Sequence, residues 1–358
     1  MSNAELLKIA NLFETDGEIT KAERYGSGHI NYTYEATSDR KRYIFQKINT
    51  SLFDRPDMLM KNIRLVTEYL REAIKKAGDN GKVLEIVKTK DGGNDYVTVA
   101  GDAYRMYEFV EGTVCYEQVE SAEDFYNCAY AFGKFATYLD GFDATKLYEV
   151  IPNFHNTVNR MKNFERAVKN DVCGRAASVE REIEFFLSRR DYCSKITSLL
   201  DSGAMPTRVT HNDTKLNNIL FSEKTGEAIS IIDLDTVMPG SICYDFGDSI
   251  RFGCNTAAED EPDVSRIGFS TELFEAYVKG YIGGFDKITE VERDNLLWGA
   301  ILMTYECGMR FLTDYLEGDT YFHTSRDGQN LDRAHTQMRM VELMEENFEI
   351  LTDIVKKA

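Results

Sequence analysis

The chain has 358 residues, 43% of them hydrophobic, with 21 Phe and 20 Tyr, which is enough to build the cores of two lobes. Its 60 acidic residues outnumber 42 basic ones, and a net charge of -18 repels nucleic-acid backbones and anionic membrane surfaces, setting both aside as partners. Seven cysteines show no CxxC pair or metal-ligand spacing, and no apolar run approaches a membrane span or leader peptide, so the expectation is a reduced, cytoplasmic protein.

Residues 4–14 carry Leu6, Leu7, Ile9, Ala10 and Phe13 at helical spacing. Gly26, Ser27 and Gly28 then lead into alternating Tyr32, Tyr34 and Ala36, which predicts a hairpin turn with exposed backbone N–H groups. Such a turn is either an ordinary one or, lacking Cβ atoms, one that lies over nucleotide phosphates. The segment 42–48 alternates as a strand, with Tyr43, Phe45 and Lys47 on one face. Lys47 reads as the cation for the α- and β-phosphates, with a lysine on a solvated edge as the rival reading. After Pro56, Leu59, Ile63, Val66, Leu70 and Ile74 mark a packed helix over 57–77. Its Glu68, ahead of Glu72, reads either as the acid that pairs with Lys47 or as a solvated helix glutamate. A hairpin of 83–88 with 96–99 follows, then a strand over 103–110. That strand ends at Glu111-Gly112, a hinge whose backbone suits an adenine edge.

From Ser121, a candidate cap, the pattern turns helical, with Phe125, Ala129, Phe132, Ala136 and Leu139 on one face. Two helices are expected within 155–200, as a helical insertion on the substrate side. Further helices are expected over 272–281, 291–315 and 331–356. Within the second of these, Glu306, Arg310 and Asp314 recur at steps of four. They read either as an ion-pair ladder or, with Tyr315, Tyr321 and Phe322 beyond them, as the lining for a polyhydroxylated ligand.

The densest chemistry lies in 209–251. VTHNDTKLNNILF places Asp213 on a loop after one apolar run and Asn218 five residues on; Asp233 and Asp235 close the next run, at ISIIDLD. An acid, an amide and a second acid form the set that magnesium-dependent phosphoryl transfer requires. Asp213 would accept the proton of the attacking hydroxyl, while Asn218 and Asp233 would hold Mg2+. His211 reads as structural, holding the loop backbone.

HNDTKLNN together with IDLDTVMPGSICYDFGD resembles the aminoglycoside phosphotransferase and choline kinase superfamily. GSGHIN, YIFQKIN and RFLTDYLEGDTYF extend that likeness to its N-acetylhexosamine 1-kinase type, over roughly 25–325. The resemblance implies an α+β, bilobal, protein-kinase-like fold. Residues 1–110 would form a small antiparallel-sheet N-lobe that binds ATP, and residues 111–358 a larger, mainly helical catalytic and substrate-binding C-lobe. It also implies Asp235 as a further metal ligand, Asp245 as a structural acid holding the catalytic loop, and adenine contacts at Glu108, Phe109 and Val110. Arg310 and Tyr321 would contact a sugar, with Glu306 beside them. Tyr32 departs from the pattern, standing where that type would carry an acid. The implied reaction is phosphorylation of the anomeric hydroxyl of an N-acetylhexosamine. The rivals are a choline, amino-alcohol or aminoglycoside kinase, a non-catalytic nucleotide-binding module, and a metal-dependent hydrolase using Asp233 and Asp235.

Overall fold

The computed structural model describes residues 2–26 and 30–358. The chain divides into two compact units, the first made of Met1–Cys115, Thr145–Pro152 and Leu220–Met238, the second of Tyr116–Ala144, Asn153–Ile219 and Pro239–Ala358. The expected break at residue 110 therefore has a counterpart at 115, but two later segments return to the first unit.

The first unit is a small antiparallel sheet with helices. Ser2 and Glu5 form a reciprocal capping box at the start of α1 (Asn3–Ala10), which buries Leu6, Ile9 and Ala10. Strands β1 (Lys21–Arg24), β2 (Tyr32–Thr37) and β3 (Arg42–Lys47) precede α2 (Pro56–Ala77), and β4 (Val97–Val99) and β5 (Asp102–Glu108) follow it. The sheet order is β1-β2-β3-β5-β4. Because a strand alternates its side chains, Tyr43 and Phe45 on β3 share a face with Tyr104 and Met106 on β5 and pack with the α1 residues. Helix α2 starts on Pro56, buries the expected Leu59, Ile63, Val66, Leu70 and Ile74, and stops at Gly78, whose φ of 70° few side chains tolerate. The expected hairpin of 83–88 with 96–99 is absent. Val97–Val99 pairs with β5, while 85–87 reaches β5 through one isolated bridge, Ile86 to Tyr107. Both runs spend their hydrogen bonds on the same central strand rather than on each other.

After β6 (Thr113–Val114) the chain enters the second, helical unit with α3 (Ala122–Leu139), capped by Ser121 as expected. The 155–200 region holds α4 (Thr157–Asn170), α5 (Glu180–Ser188) and a short α6 (Thr197–Asp201), one helix more than expected. Strand β7 (Arg208–Thr210) follows; then β8 (Ile219–Ser222) and β9 (Ala228–Ile231) join β6 in a three-stranded sheet ordered β6-β8-β9. After β10 (Met238–Gly240) come α7 (Ile242–Gly253), α8 (Thr271–Gly284), α9 (Glu290–Asp294), α10 (Leu296–Leu316), α11 (Gln329–Glu346) and α12 (Phe348–Lys357). The two longest expected helices are each split at an asparagine. Asn295 Nδ2 donates to the Val291 carbonyl and Asn347 Nδ2 to the Leu343 carbonyl, each at 2.8 Å, closing the preceding helix. Among the described residues no helix is long and apolar enough to cross a membrane.

One buried side chain binds both returning segments to the first unit. Asn62 on α2 donates to the carbonyls of Tyr148 and Val237, at 2.8 and 3.0 Å, and accepts from the Tyr148 N–H at 2.9 Å. In the second unit a different device sets helix spacing. A Cβ on Gly247 of α7 would stand 2.3 Å from the Gly299 carbonyl oxygen on α10, and one on Gly299 would stand 2.2 Å from the Cys243 oxygen.

Candidate active site

Strand β7 ends at Thr210, and the loop after it is fixed from beneath by α7. Asp245, buried, accepts the N–H of His211 at 2.8 Å and that of Asn212 at 2.7 Å, one on each carboxylate oxygen. Burial pushes its pKa up to about 6, against the pull of His211 and of the two N–H groups. The Thr214 hydroxyl donates to the Asp245 carbonyl at 2.6 Å, and the Thr214 N–H to Asp248 at 3.2 Å. His211 is fully buried, edge-on to Phe132 and Phe135, and its Nδ1 accepts the Asp213 N–H at 3.3 Å. Its place is under the loop.

Held in this way, Asp213 meets Asn218. The Asn218 Nδ2 donates to the Asp213 carbonyl at 2.8 Å and to its Oδ2 at 2.9 Å. Lys215 Nζ lies 2.7 Å from Asp213 Oδ1. Burial alone would lower the lysine's pKa, but Asp213 and Asp248 hold it above the ordinary value. Sequence reasoning missed Lys215 and Asp248, although the lysine stands inside HNDTKLNN, two residues from the acid. Asp248 has one local partner, Arg251 three residues on in the same helix, but its contact with the Thr214 N–H comes only through the fold.

In the first unit, Asp233 ends the β9 run with φ 57° and opens a short turn. Asp235, expected as a metal ligand, is committed elsewhere. Arg105 Nη1 stands 2.5 Å from its Oδ1, while Arg105 Nη2 and Asn31 Nδ2 donate to its Oδ2 at 2.8 and 2.6 Å. Arg105 is buried and also donates to Gln46 at 2.9 Å, so it is the cation that serves the IDLD segment. Lys47 cannot take that part. It faces the α1 side of the sheet with Phe45 and pairs with Asp102 at 2.7 Å, while Gln46 and its register partner Arg105 occupy the opposite face. Nor does Glu68 reach Lys47, because its ion partner is Arg64, one turn back at 3.6 Å. Gly26 adopts a left-handed φ of 72°, whereas Ser27 and Gly28 lie outside the described residues. Tyr32 stands on β2 with the Arg24 guanidinium 5.1 Å from its ring. At the hinge, the N–H groups of Glu108 and Phe109 are spent on the carbonyls of Glu85 and Arg42. The Val110 carbonyl accepts the Thr113 hydroxyl at 2.7 Å.

The stripe on α10 is not an ion-pair ladder. Glu306, fully buried, accepts from Thr157 Oγ1 at 2.6 Å and contacts His155 Nδ1 at 3.1 Å; it is an anchor beneath the surface, not a group that meets a ligand. Asp314 accepts the N–H groups of Thr320, Tyr321 and Phe322 at 2.7–2.9 Å and shapes the loop after the helix. That loop sets Tyr321 and Phe322 beside Arg310, whose guanidinium lies 5.8 and 5.3 Å from their rings. Arg310 and Tyr321 are therefore neighbours.

Residues 21–290 match the model of the phosphotransferase enzyme family, APH. The chain belongs to that family. Solved structures of similar fold include an aminoglycoside phosphotransferase from Alicyclobacillus acidocaldarius, 13% identical, with a TM-score of 0.59 over 98% of this chain and 96% of that one. A spectinomycin phosphotransferase solved with ADP and spectinomycin is 13% identical, with a TM-score of 0.54 over 96% and 99%. A choline kinase from Cryptosporidium parvum is 12% identical, with a TM-score of 0.54 over 96% and 94%. At these identities the likeness is one of fold, and it agrees with the small antiparallel sheet of the first unit and the helices of the second. Within the phosphotransferase family match fall Asp213, Asn218, Asp233, Asp245 and Arg105; Arg310 and Tyr321 lie beyond its end.

Proposed function

We propose that this chain transfers the γ-phosphoryl of ATP to a sugar hydroxyl, the anomeric hydroxyl of an N-acetylhexosamine. The observation that supports this most is the clamp on Asp213. Its backbone loop is held by Asp245 and its carboxylate by Asn218 and Lys215, while the fold around it is that of phosphotransferases. A carboxylate fixed at this precision orients the attacking hydroxyl and accepts its proton as the phosphoryl group arrives in line. An anomeric hydroxyl is more acidic than an ordinary alcohol, so orientation counts for more than base strength. Lys215 places positive charge beside the carboxylate, where negative charge is redistributed during transfer.

Among the described residues no three His, Cys, Asp or Glu side chains form a metal cluster. Mg2+ needs none, since it is held by one or two carboxylates and the substrate's own phosphates. Asn218 turns its amide nitrogen to Asp213, so its Oδ1 would be the hard oxygen it offers the ion, and Asp233 would offer a carboxylate. When bound, the ion would offset the charge of the transferring phosphates. Asp235 takes no part as a ligand here, because its oxygens are already held by Arg105 and Asn31.

The test is ADP release with MgATP across N-acetylglucosamine, N-acetylgalactosamine, choline and an aminoglycoside. A sugar should be the substrate, and Asp213→Asn should lower kcat about 10²–10⁴-fold while nucleotide still binds. Turnover by that variant near the wild-type rate would remove Asp213 from the mechanism, and release with choline alone would replace the sugar reading.

A further inference from the structure

We propose that His155 and Arg160 seat the phosphoryl acceptor alongside Arg310, and that this set selects a neutral ligand with neighbouring hydroxyl groups and rejects ammonium-bearing ones. The proposal rests on the phosphotransfer reading above and deepens it. Sequence patterning gave neither residue.

Both side chains gather around the buried Glu306. The His155 side chain is 9% exposed, its ring 5.4 Å from that of Tyr244, the residue before Asp245 on α7. The acceptor cluster and the support of the catalytic loop thus share one helix turn. Arg160 lies on α4, which packs on α10, and its Nη2 donates to the Phe154 carbonyl at 3.0 Å. Two buried polar atoms of this cluster, His155 Nε2 and Arg160 Nε, have no hydrogen-bond partner among the described residues. Buried polar groups are nearly always paired, so an orphan pair in one cluster points to a ligand.

Their chemistry says which kind. Glu306 is a carboxylate already accepting from Thr157, so the His155 Nδ1 beside it carries the proton and donates. Nε2, the ring's other polar atom, then needs a partner of its own. Arg160 Nε is a donor and needs an oxygen. Adjacent hydroxyls satisfy both, since a hydroxyl can donate to Nε2 or accept from it and can accept from Nε. A carboxylate, which only accepts, lacks that freedom. An ammonium would answer the histidine but meet the charges of Arg160 and Arg310. Those two guanidinium groups are close enough that, after burial, Arg310 further lowers the Arg160 pKa.

The experiment uses the intact chain with two separate readouts, acceptor binding by calorimetry and ADP release with MgATP. The probes are N-acetylglucosamine, N-acetylgalactosamine, glucuronate and choline. Wild type should bind one of the N-acetyl sugars and neither glucuronate nor choline. Arg160→Met and His155→Phe should each weaken that binding about 10–100-fold, raising KM with little change in kcat or nucleotide affinity. His155→Gln, whose amide can still donate to Glu306 and accept from the ligand, should recover part of the loss. It also serves if the Phe variant does not fold. Choline or glucuronate binding as tightly as the sugar, no binding of any probe, or full sugar affinity in Arg160→Met would overturn the proposal. Sugar binding without ADP release would leave this site standing and remove the phosphotransfer reading. ADP release with choline but not sugar would do the reverse.

Discussion

Asp245 is buried with a pKa of about 6, yet its work of accepting two backbone N–H groups is done by the ionised form. Protonation turns one acceptor oxygen into a donor that faces an N–H, so the catalytic loop should loosen and kcat should fall as pH drops through about 6. Stability follows the opposite course. The folded pKa lies above the ordinary 3.8, so this group's stabilising contribution is fully present below that value and is lost as pH rises through about 6. At 1.36 kcal/mol per unit the swing is about 3 kcal/mol. A pH–rate profile, with denaturation of wild type and Asp245→Asn at pH 4 and 7.5, checks both signs; an acid limb centred below pH 4.5 would contradict the assignment. A second test at this scale separates two cations. Arg105→Met leaves the buried Asp235 without its guanidinium and should cost about 3–5 kcal/mol in urea denaturation. Lys47→Met removes only a partly exposed pair with Asp102 and should cost less than about 1 kcal/mol. Local spacing made Asp213 and Asn218 legible as a pair, since they lie five residues apart in one motif and meet there; Asp245, which meets the loop 33 and 34 residues back in the chain, came only from the family resemblance. Arg105 was not legible, because its partner is 130 residues away and a strand's pattern does not reveal which face will meet that partner.

Among the elements, those whose own side chains bury were readable from the sequence. Helix α2, helix α3 and strand β3 fell where their apolar period put them, because burying one face is what the period encodes. The 83–88 run failed because its pairing partner is chosen by the whole sheet, and the long C-terminal helices failed because an asparagine can close a helix without disturbing its apolar period. The α7–α10 crossing was equally hidden, although it governs the site. Helix α7 carries Asp245 and Tyr244, and α10 carries Glu306 and Arg310; Gly247 and Gly299 let their backbones approach. Gly299→Ala would set a methyl 2.2 Å from the Cys243 carbonyl oxygen, which is backbone and cannot swing away. The helices must part, at about 1–3 kcal/mol or more, and the acceptor cluster must shift relative to the loop it serves. The expected result is a lower denaturation midpoint together with a KM increase for the acceptor. A variant with wild-type stability and KM would mean that the crossing tolerates the methyl.

At the scale of the molecule, the first unit is not one stretch of chain, and this bears on how it folds. Its sheet of β6, β8 and β9 needs residues 113–114 and 219–231 together, and Asn62 needs carbonyls from Tyr148 and Val237. Lys82 likewise donates its N–H to the Ile229 carbonyl at 2.7 Å. A fragment ending at Cys115 would keep the five-stranded sheet and α1 but leave Asn62 buried without these partners and β6 with no neighbour. Unsatisfied buried groups each cost about 1–3 kcal/mol, so a few of them consume most of a domain's stability of about 5–15 kcal/mol. The fragment 1–115 should therefore show broad, non-cooperative unfolding and poorly dispersed amide resonances, while the full chain unfolds sharply. Restoring 220–238 to the fragment through a short Gly/Ser linker should return part of the cooperativity, since it restores the Val237 carbonyl and β8–β9. Sharp two-state unfolding of 1–115 alone would show that the returning segments decorate a unit that is already stable. The sequence could not announce this arrangement, because each returning segment is short and reads locally as part of its neighbours; the contacts that tie it back, from Asn62, Lys82, Arg105 and β6, come from far along the chain.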